Sequence, residues 1–181
     1  EECDTEALTA ISPTAQVSEK SRRVLELVTL CNEAGKTSKF EIEIFKPTTR
    51  LMTVFADLPW LVATDRQRFA DVVDCFYFIF YEGAGKDKLR FLDKHGGPLT
   101  DADCELIWCI KCVRNKWARH DADHGKEKDI QKSWVELAAK FRWLGLTEHP
   151  SDPRHFQQLH HQLLVLAENF LARILSKLKL K

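Results

Sequence analysis

The sequence predicts a mainly α-helical protein, an up-and-down bundle of about five helices. Glycine (7) and proline (6) are scarce among the 181 residues, which leaves few positions for the tight turns of a sandwich or barrel. Several apolar stretches repeat with the three-to-four-residue spacing of one helix face. Hydrophobic residues make up 44% of the chain, which is enough for a folded core. A small N-terminal β-hairpin is the one addition that the pattern allows.

The chain begins with a polar stretch that is followed by a helical pattern. Residues 1–17 show no sustained periodicity and predict a flexible tail, so that residues 18–181 form a single helical domain. Apolar side chains recur at helical spacing across residues 18–34. Gly35 follows where glycine commonly terminates a helix, and we expect this helix to end there.

The next segment alternates instead of following a helical spacing. Phe40, Ile42 and Ile44 are separated by charged residues, and this period of two is typical of a β-strand. Residues 51–55 then supply a partner strand for the small hairpin. Pro59 ends that pattern, because proline lacks the amide hydrogen that helices and strand ladders use.

Further helices follow, and local signals mark where they begin. Thr64 with Gln67 three residues later is a capping-box pattern in front of a strongly apolar helix. Thr100 is a suitable N-cap for another helix, and Asp152 with Pro153 forms an N-cap and first-turn pair. The predicted helices cover residues 65–81, 87–94, 100–117 and 126–144, and a last helix runs from Pro153 to the C-terminal region.

Charge is balanced overall but divided unevenly along the chain. Residues 1–110 carry 13 basic and 19 acidic side chains, a net charge of −6. Residues 111–181 carry 14 basic and 8 acidic side chains, a net charge of +6. A basic half attracts phosphate, although a solvated, lysine-rich helical surface accounts for the same counts.

Cysteine usage and the length of apolar runs bear on the compartment. The six cysteines lie mostly in apolar helical stretches, where cysteine behaves as a small buried hydrophobe, so we expect free thiols in a reducing cytoplasm. The longest apolar run, residues 75–81, is far shorter than the ~20 residues of a membrane helix. We therefore expect no membrane segment.

The densest cluster of titratable residues occupies residues 114–125, between two predicted helices. Histidine transfers protons near neutral pH, and arginine presents a fixed fork of donors to phosphate, so the cluster is a candidate functional site. A solvated turn is the structural alternative. On a uniform helical wheel, Arg114 and His120 flank the apolar stripe centred on Ile110, about 120° apart. Either the helix breaks between them, or a second subunit packs along that stripe and brings two sets to one seam.

Arg114-Asn115, four further residues and His120 resemble the Arg-(Asn/His/Asp)-x(4–6)-His motif of the HEPN superfamily, the higher eukaryotes and prokaryotes nucleotide-binding domains. The resemblance covers residues 64–178. Members are helical bundles that commonly dimerise, and many are metal-independent ribonucleases in toxin–antitoxin pairs or antiviral defence. It therefore implies a homodimer, an RNA substrate, an antitoxin or defence-system partner, and no metal or other cofactor.

The resemblance also implies roles for particular residues. His120 acts as general base or acid, Arg114 stabilises charge on the phosphate, and Asn115 orients the phosphate or the histidine. Lys116 and Trp117 contact the RNA backbone and a base. Core packing is the alternative for Trp117, because its spacing continues the apolar stripe.

A second, overlapping match leaves the register of the motif open. Arg119 and His124 repeat the same chemistry farther along the chain, and Asp121 stands where it can orient a neighbouring histidine. These three residues are therefore secondary candidates for the catalytic set.

A metal site is the main chemical rival of the ribonuclease hypothesis. Cys109-x2-Cys112 followed by His120-x3-His124 provides four possible zinc ligands, but the two pairs are closer together than in a usual finger. Asp121 and Asp123 offer oxygen ligands beside the histidines. Both cysteines also fit an apolar helix as small core residues.

The sequence therefore favours three functions. The leading one is a metal-independent endoribonuclease of HEPN type, acting in phage defence or a toxin–antitoxin system. The second is a non-catalytic helical module that binds a nucleotide or a protein partner. The third is a metal-binding protein built on the cysteine and histidine pairs.

Overall fold

Helix boundaries follow the apolar stripes and local caps of the sequence. The computed structural model describes residues 13–85, 99–119 and 125–179. The α-helices in these ranges are α1 Pro13–Thr37, α2 Thr49–Asp57, α3 Arg66–Tyr77, α4 Glu105–Val113, α5 Glu127–Trp143 and α6 Pro153–Lys179. These ranges contain no strand, and the predicted mainly α-helical bundle is confirmed. The predicted helix over residues 87–94 lies outside the described residues.

Short segments of different helical width join or extend these helices. Tight 3₁₀ turns occupy Leu58–Trp60 and Asp101–Cys104. Wider π-helical segments, Phe78–Gly83 and Arg114–Ala118, continue α3 and α4. Such wide turns often occur at functional sites, and the second one contains candidate catalytic residues. None of the described helices is long and apolar enough to cross a membrane.

The core forms where the apolar face of α1 packs along α6 and where α3, α4 and α5 pack beside them. Val24, Val28 and Leu171 are at most 1% exposed, and the Cys31 thiol donates a hydrogen bond to the Leu171 carbonyl oxygen at 3.5 Å. Phe80 joins the two parts of the core, because its ring contacts the ring of Phe170 at 5.6 Å between centroids. Burial of one such side chain stabilises the fold by about 1.5–3 kcal/mol.

The predicted hairpin is wrong. The first of its segments, around Ile44 and Phe45, is buried and has no regular structure, while the second lies within helix α2. The Asn32 side chain takes the place of a strand partner. Its amide nitrogen donates to the Phe45 carbonyl oxygen at 2.6 Å, and its oxygen accepts from the Phe45 amide at 2.7 Å. The alternation therefore reflects a chain that packs one side on α1 without a neighbouring strand.

Three predicted helix ends are also wrong in detail. Helix α1 begins at Pro13, within the predicted tail, and passes through Gly35 to Thr37. Gly35 permits a close approach there, since a Cβ atom on it would lie 2.5 Å from the Ile42 carbonyl oxygen. Helix α3 is capped by Asp65, whose carboxylate accepts from the Arg68 amide at 2.8 Å. The preceding threonine, predicted as the cap, does not fill that position.

Other predicted caps are confirmed. The Thr100 amide and hydroxyl both donate to the Asp103 carboxylate, at 2.8 and 2.9 Å, before the turn that leads into α4. Arg173 and Lys177 of α6 bind the same carboxylate, which is buried, at 2.5 and 2.8 Å. These charged partners hold the pKa of Asp103 well below its usual range despite the opposing effect of burial. The start of α4 is therefore fastened to the last helix.

The apolar stripe of α4 is covered within the chain itself. Leu106, Cys109, Ile110 and Val113 are at most 4% exposed, because α3, α5 and α6 pack around them. A second subunit cannot pack along this stripe without opening the core. The seam that the helical wheel suggested is therefore not available for a dimer.

Candidate functional site

Helix α4 widens into a π-helical turn at the start of the predicted motif. The Arg119 amide donates to the Arg114 carbonyl oxygen at 3.0 Å, a hydrogen bond between residues five apart. In a regular α-helix these two residues would lie about 140° apart around the axis. The wide turn instead lets both arginine side chains reach the same part of α3.

Arg114 is held by three groups. Its Nε donates to the Asp74 Oδ1 atom at 2.9 Å, and its Nη1 donates to the Asn115 Oδ1 atom at 3.3 Å. Its guanidinium carbon lies 4.2 Å from the centroid of the Tyr77 ring, which is a cation–π contact. The side chain is 25% exposed, so it is fixed in place yet open to solvent on one side.

Arg119 binds the same carboxylate from the other end of the turn. Its Nε donates to the Asp74 Oδ2 atom at 2.6 Å, and its Nη2 donates to the Asp71 Oδ1 atom at 2.9 Å. Asp74 therefore bridges Arg114 and Arg119. The two arginines and two aspartates form a half-exposed charge quartet whose formal net charge is zero.

The quartet sets what an anion meets at this position. Both guanidiniums are oriented before any ligand arrives, which is the arrangement that stabilises charge on a phosphate. A phosphate that binds these guanidiniums lies close to the Asp74 carboxylate, to which each arginine already donates through its Nε. The two arginines are therefore oriented for an anion in advance, but Asp74 competes with that anion for their hydrogen bonds.

Lys116 points towards α5 and not towards the arginines. Its ammonium group forms a short ion pair with the Glu136 carboxylate. The hydrogen bond from Lys116, with a smaller one from the buried Cys112 thiol, lowers the pKa of Glu136. Lys116 was predicted to contact RNA, but in this structure its charge is used to join α4 to α5.

Trp117 is a core residue. It is 4% exposed, and its ring packs on the rings of Phe69, Phe141 and Phe156 at 5.5 to 6.1 Å between centroids. The guanidinium of Arg66 covers it at 5.0 Å and donates to the Trp117 carbonyl oxygen at 2.8 Å. The ring offers no open face to a base, so the structural alternative describes it and the predicted RNA contact does not.

The remaining predicted site residues, His120, Asp121 and His124, lie outside the described residues, as does Asp123. His120 follows Arg119 directly in the sequence, and Arg119 is the last described residue of this segment. The structure thus brings together Arg114, Asn115 and Arg119 among the predicted site residues.

Sequence reasoning missed the acidic half of the quartet. Asp71 and Asp74 are spaced by one helical turn within an otherwise apolar stretch of α3. Carboxylates in such a stretch are a signal of specific partners, because a half-buried charge needs one. The identity of those partners follows only from the packing of α3 on the end of α4.

A cleft of about 450 Å³ opens beside the quartet, between α2, the Leu58–Trp60 turn and α3. Its charged lining consists of Arg50, Asp57, Asp71, Asp74 and Arg119. Trp60, which is 73% exposed, forms one wall. Three carboxylates face two guanidiniums in this cleft, so it does not favour a polyanion.

The cysteine pair of the metal hypothesis is buried. Burial raises the pKa of both the Cys109 and Cys112 thiols to about 12, which keeps them protonated near neutral pH. A thiol binds zinc as the thiolate, so a zinc ion would have to displace the proton of each buried thiol. Within the described ranges, no three histidine, cysteine or acidic side chains converge in a way that could hold a metal ion.

Comparison of the chain with protein-family models, with curated proteins and with solved structures finds no match.

Proposed function

We propose that the chain is a metal-independent endoribonuclease whose site is built on Arg114, Asn115 and His120. The observation that carries the proposal is the pair of oriented guanidiniums, Arg114 and Arg119, at the wide turn that directly precedes His120 in the sequence. Preorganised donors of this kind stabilise a phosphate as negative charge develops on it.

The reaction uses the RNA's own hydroxyl group. His120 removes the proton from the ribose 2′-hydroxyl, whose oxygen attacks the adjacent phosphorus. The bond from phosphorus to the 5′-oxygen breaks, which gives a 2′,3′-cyclic phosphate. The leaving 5′-oxygen takes a proton from water to become a hydroxyl group, and His120 returns its proton to the solvent. Arg114 stabilises the charge on the phosphate oxygens. Asn115 accepts a hydrogen bond from Arg114 at 3.3 Å and orients the phosphate or the histidine.

The direct test is cleavage of RNA in excess EDTA by the wild-type chain and by His120→Ala. His161→Ala is the matched control, because His161 is an exposed histidine on α6. We expect cleavage by the wild type and the control, none by His120→Ala, and none of RNA with 2′-O-methyl groups. Equal cleavage by His120→Ala, or none by any chain, would contradict the assignment. Loss of activity in His124→Ala alone would move the register to the second match.

Asp74 is a positioning residue in this proposal, since it holds both arginines without touching substrate. Asp74→Asn removes a negative charge and loosens Arg114, so we expect RNA to bind more tightly and kcat to fall. A merely structural role would lower the melting temperature without splitting KM from kcat. Glu148→Gln, at an exposed carboxylate outside the quartet, is the control.

The neutral charge of the quartet favours one second candidate, a non-catalytic module of the same fold that binds a nucleotide or protein. In that case Asp74 permanently satisfies the arginines, and no cleavage appears at any protein concentration. Binding of a labelled nucleotide that Arg114→Ala abolishes would support this second candidate. The first proposal also includes a role in phage defence or a toxin–antitoxin pair and a homodimer in the cytoplasm. Light scattering of the purified chain tests the dimer.

A further inference from the structure

A row of aromatic rings and cations, none of which lines the acidic cleft, leads away from Arg114. We call it the aromatic strip, and it consists of Arg114, Tyr77, Tyr81, Lys111 and Trp108. The Tyr77 and Tyr81 rings stack at 4.9 Å between centroids with an interplanar angle of 26°. The Tyr81 ring meets the Trp108 ring edge-on at 6.4 Å. The strip therefore continues from the candidate site to the surface of α4.

Cations alternate with these rings. Arg114 covers Tyr77 at 4.2 Å, and the Lys111 ammonium lies 4.7 Å from the Tyr81 centroid and 5.5 Å from that of Trp108. Among the described residues, no carboxylate pairs with Lys111 within 4.0 Å, unlike the other lysine of this region, Lys116. Lys111 thus keeps its charge available beside two aromatic faces.

Exposure increases along the strip. Tyr77 is buried at the inner end, Tyr81 is half-buried, and Trp108 is 39% exposed at the outer end. Trp108 and Arg114 are separated by about 9 Å along the helix axis. That distance accommodates roughly two to three stacked nucleotides at ~3.4 Å each.

We infer that the aromatic strip is the path of single-stranded RNA, with Trp108 as a stacking platform for a base next to the cleaved phosphate and Lys111 as a contact to the RNA backbone. Alternating cations and aromatic rings are what non-specific single-strand binding requires, because every base has a face that stacks. The cleft beside α2 offers an exposed tryptophan too, and it shares Asp71, Asp74 and Arg119 with the quartet. Asp57 gives its charged lining a third carboxylate against two guanidiniums, so the cleft favours an RNA backbone less than the strip does. The inference rests on the proposed function for the cleaved phosphate, but the binding it predicts does not require cleavage.

The test measures binding of a short, labelled, 2′-O-methylated RNA without secondary structure to the wild-type chain by fluorescence anisotropy. This RNA resists attack by a ribose hydroxyl, so affinity is measured whether or not the chain is a nuclease. We expect Trp108→Ala to weaken binding by ~5–100-fold and Trp108→Phe to retain most of the affinity. Trp143→Ala is the matched control, because Trp143 is 38% exposed and lies on α5.

Charge and strandedness sharpen the test. Lys111→Glu should weaken binding and reduce its salt dependence, whereas Glu82→Gln should tighten it, because Glu82 is an exposed carboxylate close enough to influence Tyr77. A duplex of the same sequence should bind less tightly, since its bases are already stacked on one another.

Several results would overturn the inference. They are equal affinity of Trp108→Ala and the wild type, a loss confined to Trp60→Ala, or tighter binding of the duplex. If the chain cleaves RNA, Trp108→Ala should raise KM for a long RNA at unchanged kcat and leave cleavage of a dinucleotide unaffected. If the chain cleaves RNA and Trp108→Ala has no effect, the proposed nuclease stands and the aromatic strip is not the RNA path. If RNA binds through Trp108 but is not cleaved, the strip is the RNA path and the proposed nuclease is wrong.

Discussion

Helix α4 and its wide turn have two unlike sides, and each carries a tryptophan. Trp117 lies among Phe69, Phe141 and Phe156 and is 4% exposed, whereas Trp108 lies beside Lys111 and is 39% exposed. The residue type is the same, but the neighbours differ. On the inner side the ring contributes to folding, and on the outer side a similar ring remains available to a ligand.

The inner side should dominate stability. Trp117→Ala removes the centre of an aromatic cluster and leaves a cavity, so we expect the free energy of unfolding to fall by about 3–5 kcal/mol. Urea denaturation followed by circular dichroism measures the change. A loss below about 1 kcal/mol would mean that the ring is less well packed than its burial indicates.

The outer side should dominate activity. Arg114→Lys keeps the charge but loses the planar fork of donors, so we expect kcat for RNA cleavage to fall by roughly 10²–10³-fold. Arg142→Lys, at an exposed arginine on α5, is the matched control and should retain activity. Equal rates for Arg114→Lys and the wild type would remove this arginine from the transition state.

The stability of the core should also respond to pH through His160, a buried residue of α6. This residue is fully buried, and its Nδ1 atom accepts from the Ala63 amide at 3.4 Å. Burial, with a smaller contribution from the charge of His161, lowers its pKa to about 4 from the usual 6.5. As the pH falls through 6.5, the unfolded chain gains a proton that the folded chain does not, so stability decreases until about pH 4.

The expected size of this effect is about 2 kcal/mol between pH 8 and pH 5. His160→Asn keeps an acceptor for the Ala63 amide but does not titrate, so its stability should change less over the same range. Chemical denaturation of both chains at each pH gives the difference. Parallel curves for the two chains would show that another group causes the pH dependence.

The smallest effect should be on the stability of the outer side. Trp108→Ala removes a ring that is 39% exposed and contacts Tyr81 and Lys111, and we expect a loss of about 1 kcal/mol in the free energy of unfolding. A thermal melt beside Trp117→Ala measures the contrast directly. A large loss would show that Trp108 is a structural residue and would weaken the comparison of the two sides.

Local patterns predicted the helices well and the contacts between them poorly. Local sequence patterns were enough to predict the caps at Thr100 and Asp152 and the apolar stripe of α6, because each depends only on neighbours in the sequence. The strand around Ile44 could not, because the side chain of Asn32 replaces a strand partner, and no periodicity encodes that.

The candidate site was predicted in part for the same reason. Arg114 and Asn115 stand in a recognisable motif, but Asp74 reaches Arg114 only through the packing of α3 on the end of α4. A uniform helical wheel does not include the wide turn, so it does not show that Arg119 reaches the same carboxylate as Arg114. The buried position of Trp117 was compatible with its spacing, and tertiary contacts decided between the two roles.

The wide turn at Arg114–Ala118 also makes this region sensitive to chain length. A π-helical turn holds more residues than an ordinary turn, so deletion of Ala118 would allow regular α-helix to form. Arg119 would then be the fourth residue after Arg114, about 40° from it around a regular helix, and would stay near Asp74. One added residue would instead make Arg119 the sixth residue after Arg114, about 240° away on a regular helix, and would separate it from Asp74 although no charged residue had changed. The number of residues here, and not only their type, therefore determines whether two arginines share one carboxylate.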